Sequence, residues 1–256
     1  MSTVPGGRAA RRANGHKPKK TATLLAQRIV GEIADAGLQP GAALLPEREM
    51  LEAYGVARGT LREALRFLEM QGVITIRTGP GGGPVVNAPA SSHLASIIAM
   101  MLQLEGAPFG AVLEARATLE PGMARRAAAR RTPEQLERIH ESVRRMEADL
   151  HDAEVFLREN ETFHTEVGLA AGNEVFSMVL GSLNWIVDGT VLGVEYSDVQ
   201  RASVAREHRR IHQAIAAGDG DRAAAAMAVH MHDYGTYLER FYPQAIEAPI
   251  RWDSLP

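Results

Sequence analysis

Beyond Ser91 the chain carries apolar residues at helical spacing and almost no strand signal, and this limits its fold more than any other feature. The periodicity runs over about 92 to 104, 109 to 130, 133 to 150, 152 to 171, 174 to 193, 197 to 217 and 219 to 241. The breaks at Gly106-Ala107-Pro108, Thr132-Pro133, Gly172-Asn173 and Gly218-Asp219-Gly220 are short. Linkers of that length make consecutive helices double back, so an antiparallel all-α bundle of six to seven helices is expected. No uninterrupted apolar run approaches the ~18 residues of a membrane span.

The first 90 residues read differently. Residues 1 to 87 hold 12 basic and 7 acidic side chains, whereas the remainder holds 16 basic and 24 acidic, so a basic module precedes an acidic body. That asymmetry points to a polyanion partner for the first part. Arg8, Arg11, Arg12, Lys17, Lys19 and Lys20 lie in a segment without apolar periodicity, expected to be disordered: a contact arm or simply a solubilising one. No apolar stretch follows them to make a signal peptide, and with no cysteine in the chain a disulfide framework is excluded. A cytoplasmic protein without membrane contact is expected.

Leu24, Leu25, Ile29, Ile33 and Ala36 predict a helix that Gly37 stops. Pro46 opens a second through about Tyr54, and a third runs from about Arg58 to Met70 with Leu61, Leu65 and Leu68 on one face. Alternating Val73 to Arg77, a loop of Thr78 to Gly83 and then Pro84-Val85-Val86 predict a small β-hairpin. Three helices and a hairpin in about 65 residues match a winged helix-turn-helix. The fold class is therefore mainly α, with an N-terminal winged helix-turn-helix ahead of the helical bundle.

The segment LLPEREMLEAYGVARGTLREALRFLEMQGVITIRTG, Leu44 to Gly79, resembles the DNA-binding domain of the GntR family of bacterial transcription regulators. The Pro-x-Glu-Arg-Glu opening, the Gly-Val turn, the Leu-Arg-Glu-Ala-Leu run and the Gly before the hairpin occur in register. The resemblance implies that Arg48, Arg58, Thr60 and Arg62 contact operator DNA and that Gly79 sits at the wing tip in the minor groove. An Arg near the start of a groove-bound helix can place its donor fork on the two acceptors of a guanine, while Thr60 suits phosphates. The alternative is that Arg58, Arg62 and Arg66 form only a solvated helix face. Three departures from the family pattern matter: Ala57 stands where a Ser or Thr usually caps the helix, Gly59 replaces another hydroxyl residue, and Pro80 replaces a basic wing residue.

In the helical part the informative residues are polar ones on apolar faces. His208 shares a face with Val204, Ile211 and Ile215, His230 shares one with Ala223, Met227 and Tyr234, and Asn160 and His164 lie one turn apart in a stripe with Phe156, Phe163 and Val167. Three imidazoles and an amide oxygen from three helices outline a metal site; the alternative is core histidines satisfied by backbone carbonyls. His140, His151, His212 and His232 fall off the buried faces. Arg116 and Glu120 also share a stripe with Val112, Leu119 and Met123. A buried guanidinium must be paired, either with Glu120 or with the carboxylate of a ligand.

The order Asn160, His164, His208, His230 resembles the Asp-xxx-His...His...His signature of the FadR-type effector domain of GntR regulators, called FCD, as do FHTEVGLAAGN and EHRRIHQAIAAGD. That resemblance implies a divalent metal, zinc or nickel, held by Asn160, His164, His208 and His230, a small carboxylate effector on the metal, and Arg116 facing that effector. Asn160 replaces the usual Asp, so the ion should be held less tightly. The expected function is a ligand-responsive, homodimeric regulator that binds double-stranded, pseudo-palindromic operator DNA, a repressor as is commonest in the family. The alternatives are a metal-dependent, hydrolase-like enzyme or a purely structural ion. Against an enzyme, no His-Glu-xx-His run occurs, and Glu161 and Glu166 are expected to face away from His164. The expected organisation is a disordered basic tail over 1–20, the DNA-binding domain over 21–88, a linker and connecting helix over 89–104, an FCD-type effector and dimerisation domain over 105–243, and a C-terminal tail over 244–256.

Overall fold

A computed structural model describes residues 21–79, 82–88, 90–190 and 193–254. The basic segment 1–20 and Pro80 therefore lie outside the described residues. The chain divides into two compact units, Met1–Pro89 and Ala90–Pro256.

In the first unit α1 (Thr21–Asp35), α2 (Glu47–Tyr54) and α3 (Arg58–Met70) precede the strands β1 (Ile74–Arg77) and β2 (Gly83–Val86). The strands pair antiparallel with Ile74 opposite Val86 and Arg77 opposite Gly83. An isolated bridge from Ala43 to Val85 adds a third backbone to the hairpin, which the alternation pattern does not foretell. Gly55 closes α2 at φ 63°, a left-handed conformation that glycine adopts without the Cβ penalty and that lets α3 start three residues later. Leu25, Ile29, Met50, Leu61, Leu65, Leu68 and Ile74 form the core beneath these elements. Truncating Leu65, which is 1% exposed, removes packing worth about 2 to 5 kcal/mol by the usual cost of such cavities.

The second unit holds α4 (Ser91–Glu105), α5 (Phe109–Arg130), α6 (Pro133–Ala148), α7 (Ala153–Ala170), α8 (Glu174–Thr190), α9 (Asp198–Ala216), α10 (Gly220–Phe241) and the short α11 (Pro243–Glu247), then a 3-10 turn at Trp252–Ser254. The helix starts are locally encoded. Thr132 and Gln135 form a reciprocal capping box, and the side chains of Asp152, Ser197 and Asp219 accept from the first-turn N–H groups of α7, α9 and α10. Helix α5 runs through Pro121 and packs against α7, α8, α9 and α10, which makes it the central element. One core joins Ala124, Ala127, Ile139, Phe163, Val167, Ile211, Ile215 and Met227; another joins Ala95, Phe109, Val112, Ile186, Leu238 and Ile250.

The residues after α10 carry no periodicity, yet they are held in place. Phe109 N–H donates to the Ala248 carbonyl at 2.9 Å and Ile250 N–H to that of Ala107 at 3.0 Å, Ile250 is fully buried, and the Trp252 indole donates to Ser96 Oγ at 2.7 Å. The segment thus ties the start of α5 to α4.

Candidate functional site

Three helices bring one histidine each to a common point: His164 from α7, His208 from α9 and His230 from α10, all buried. Among the described residues they are the one group of three or more His, Cys, Asp or Glu whose potential ligand atoms all lie within 4.8 Å of one another. His230 Nε2 is 3.3 Å from His208 Nε2 and 3.3 Å from His164 Nε2. His208 is fixed by stacking on Phe163, with ring centroids 3.8 Å apart and planes 12° from parallel.

The opposite ring nitrogens decide the chemistry. His164 Nδ1 meets a carboxylate oxygen of Glu120, and His230 Nδ1 meets Glu207 Oε2 at 2.8 Å. An ionised carboxylate only accepts, so Nδ1 carries the hydrogen in both rings, and Nε2 is the atom each turns toward the common point. Three ring nitrogens this close, with few hydrogens to share among them, leave acceptor positions without a donor. A shared cation satisfies all three. Tetrahedral zinc with bonds of about 2.0 to 2.1 Å sets its ligand nitrogens about 3.3 Å apart, so the donor set fits a divalent ion. The histidines are thus not satisfied by backbone carbonyls; carboxylates orient two of them, the pattern usual around metal-ligating imidazoles.

Arg116 and Glu120 lie one turn apart on α5, both buried, with Arg116 Nε donating to Glu120 Oε1 at 2.7 Å. Glu120 therefore ties the guanidinium to His164. Burial alone would raise the Glu120 carboxyl, but the Arg116 charge and then His164 outweigh it and hold the group at about 2. Burial pushes His164 down to about 4 despite Glu120, and Arg116 and His230 act in the same direction. Burial, then His230, His164 and Arg116, drives His208 well below its ordinary value. At neutral pH the carboxylate is ionised and these two imidazoles are uncharged, the state in which imidazole binds metals.

Beside the histidines lies a cavity of about 230 Å³. Arg116, His164 and His230 line it, as do Asn160, half-buried on α7, and Asn184 of α8. Glu161 also lines it, contrary to the expectation that it faces away: the cavity opens on the flank of α7 beside the buried stripe, which a 100° wheel counts as outside. Glu166 does face away and pairs with Arg138 at 2.8 Å. Of the histidines expected at the surface, His140, His151 and His232 are exposed, but His212 is half-buried with its ring 5.1 Å from that of His140.

Sequence reasoning placed the three histidines and Arg116 but missed Glu207 and Asn184, and saw Glu120 only as an ion-pair partner. Glu207 adjoins His208 in sequence yet serves His230 across a helix pair, a relation that no spacing rule reports.

In the first unit α3 buries Leu61, Ala64, Leu65 and Leu68 and leaves Arg58, Arg62 and Arg66 exposed at intervals of four. Ala57 gives α3 no side-chain cap. Thr60 is half-buried near the helix start, Arg48 stands exposed on α2 with its Nε 3.7 Å from Glu52, and Gly79 is exposed at the end of the hairpin with φ 101°. These residues and the histidine site lie in different units.

Family models match both units: "Bacterial regulatory proteins, gntR family" over residues 21–82, and "FCD domain" over residues 111–233, the span that contains Arg116, Asn160 and all three histidines. The chain is 27% identical over 222 residues to the HTH-type transcriptional regulator LutR of Bacillus subtilis, covering 84% of this chain and 100% of that protein. It is 32% identical over 238 residues to the uncharacterized HTH-type transcriptional regulator Rv0494 of Mycobacterium tuberculosis, covering 84% and 90%. A solved structure described as "Streptococcus agalactiae GntR" shares the fold with a TM-score of 0.66 at 24% identity, over 84% of this chain and 99% of that one.

Proposed function

Since this chain belongs to the GntR family of bacterial transcription regulators and carries an FCD domain as its second unit, we propose that it is a metal-dependent repressor whose operator affinity is set by a small carboxylate. That it is a DNA-binding regulator and not an enzyme follows from the family. No helix among the described residues is long and apolar enough to cross a membrane. A cytoplasmic site of action accords with binding DNA.

The observation that carries the proposal is the convergence of three Nε2 atoms beside a cavity that Arg116 also lines. His164, His208 and His230 hold a divalent ion, zinc or nickel, with the Asn160 amide oxygen as a fourth and weaker ligand. Bound there, the ion supplies a Lewis-acidic site for a carboxylate oxygen. Arg116 adds a cationic wall on the same side, and Glu120 keeps both Arg116 and His164 oriented. Asn160→Asp, which supplies a charged oxygen in place of the amide, is expected to tighten the ion measurably in a competition titration with a chelator.

The DNA-binding domain, 21–88, acts through Arg48, Arg58, Thr60, Arg62 and Gly79. Two protomers read two inverted half-sites, because one recognition helix contacts too few base pairs to select a site. The helical domain over 105–243 supplies the dimer. Selection of bound sequences from a random duplex pool should return a pseudo-palindrome, and a single half-site would contradict dimeric reading. If Arg62 reads a base, Arg62→Ala costs about 1 to 3 kcal/mol and relaxes one position; equal weakening on all sequences reassigns it to phosphate.

A further inference from the structure

Helices α6 and α9 bring together a second pair of imidazoles, outside the buried three-histidine site. His140 on α6 is exposed and His212 on α9 is half-buried, and the two helices pack against each other. Their ring centroids lie 5.1 Å apart with planes 37° from parallel. Within the buried site the three ring pairs are separated by 4.7, 5.2 and 5.3 Å, with interplanar angles from 25° to 86°. A tetrahedral ion with bonds of about 2.0 to 2.1 Å sets the centroids of two bound imidazoles about 5 Å apart. The outer pair therefore has the spacing of rings that share one ion. That spacing is fixed by the bundle: Ile139 and Val143 on either side of His140, and Ile211 and Ile215 on α9, belong to one buried core.

The electrostatics suit a cation. Burial and then His140 lower the His212 pKa against the pull of Glu137, so the ring is uncharged at neutral pH, the form that ligates metals. Glu137 is exposed on α6 three residues before His140 and adds a negative charge to the same surface. The arginines one turn from each ring are paired, Arg144 with Glu141 and Arg209 with Glu147. We propose that His140 and His212 form a second, exchangeable site for a borderline divalent ion such as zinc or nickel, ligated by the two imidazoles and otherwise by water, which clamps α6 to α9. Imidazole is the ligand type that suits these ions. Among the described residues no third His, Cys, Asp or Glu stands within ligand distance of the pair, and no carboxylate orients either ring as Glu120 and Glu207 orient those of the buried site. Such outer partners alone are worth about 10- to 100-fold in affinity, so the ion held here is lost on desalting while the buried one is kept. An ion across α6 and α9 restrains the helix that gives the buried site Glu207 and His208.

The test is a calorimetric titration of zinc into the metal-free, full-length protein. Wild type is expected to show, beyond the tight event of the buried site, a further event of one ion per chain that is about a hundredfold or more weaker. In His140→Ala and in His212→Ala the weak event should lose about tenfold or more in affinity, as expected when one of two ligands goes, while the tight event is unchanged. His151→Ala with His232→Ala, which removes two other exposed imidazoles, should change neither. Zinc in excess of the buried site should also raise the thermal midpoint of wild type and not that of His140→Ala, because only wild type can join the two helices. A weak event that persists at full strength in both single variants belongs to scattered surface histidines and overturns the proposal. Absence of any weak event up to about 1 mM zinc, a range in which an exposed two-imidazole site should fill, overturns it too. The two sites are read separately: loss of the weak event in His212→Ala supports the pair whether or not a tight event is present, and a missing tight event contradicts the three-histidine reading alone.

Discussion

Glu120→Ala is expected to lower the unfolding free energy of the second unit by about 3 to 5 kcal/mol, the usual consequence of removing one partner of a buried ion pair. The carboxylate is 1% exposed and serves two groups at once, Arg116 Nε at 2.7 Å and His164 Nδ1. Without it Arg116 keeps its charge in a buried place, and His164 loses the acceptor that sets its tautomer. Urea unfolding of the metal-free protein at pH 7.5 measures the effect. The exposed pair Arg251 and Asp253 provides the contrast, since Asp253→Asn removes a 2.7 Å contact in full solvent and should leave the midpoint unchanged. A Glu120→Ala midpoint close to wild type would show that the buried triad of Arg116, Glu120 and His164 is not what holds α5 to α7.

Acid should weaken the metal-free protein well before it reaches the carboxylates. His164 is held at about 4 in the folded chain against 6.5 ordinarily, so below pH 6.5 the unfolded chain takes up a proton that the native one refuses. Stability due to this neutral imidazole is therefore complete above about pH 6.5 and declines as pH falls toward 4. Between pH 7.5 and 5 the loss from His164 comes to about 2 kcal/mol, and His208, also held below its ordinary value, adds to it in the same direction. Glu120 acts in a lower window: its stabilising contribution is present above 4.5 and is lost as pH falls toward about 2. Urea midpoints in the presence of chelator at pH 7.5 and 5 should therefore differ, and the histidine-dependent part should shrink in His208→Phe. Equal midpoints at the two pH values would mean that the imidazoles are not buried in the neutral state.

How much of this was readable beforehand depended on whether a feature was periodic. The faces of α3, α7, α9 and α10 follow from apolar spacing, which is why Arg62, His164, His208 and His230 could be placed on the correct side of their helices. Periodicity says which face is buried and nothing about what lies opposite. Glu207 and Asn184 therefore went unseen: one reaches across to His230, and the other sits in Leu183-Asn184-Trp185-Ile186, a run apolar on nearly every side. Glu161 was misplaced because a cavity removes packing from the flank of a stripe and turns an outer position into a lining one. The segment after Phe241 docks through backbone hydrogen bonds of Ala248 and Ile250, and backbone groups leave no mark in side-chain composition. Ala43 joins the hairpin in the same way.

The three Nε2 atoms make the central claim testable by metal content alone. Protein stripped with a mild chelator, reloaded with zinc or nickel and desalted should hold one divalent ion per chain by elemental analysis, and His208→Ala with His230→Ala together should hold none while α-helical content is retained. Wild type that holds no ion under these conditions, or a double variant with the same content as wild type, would contradict the account.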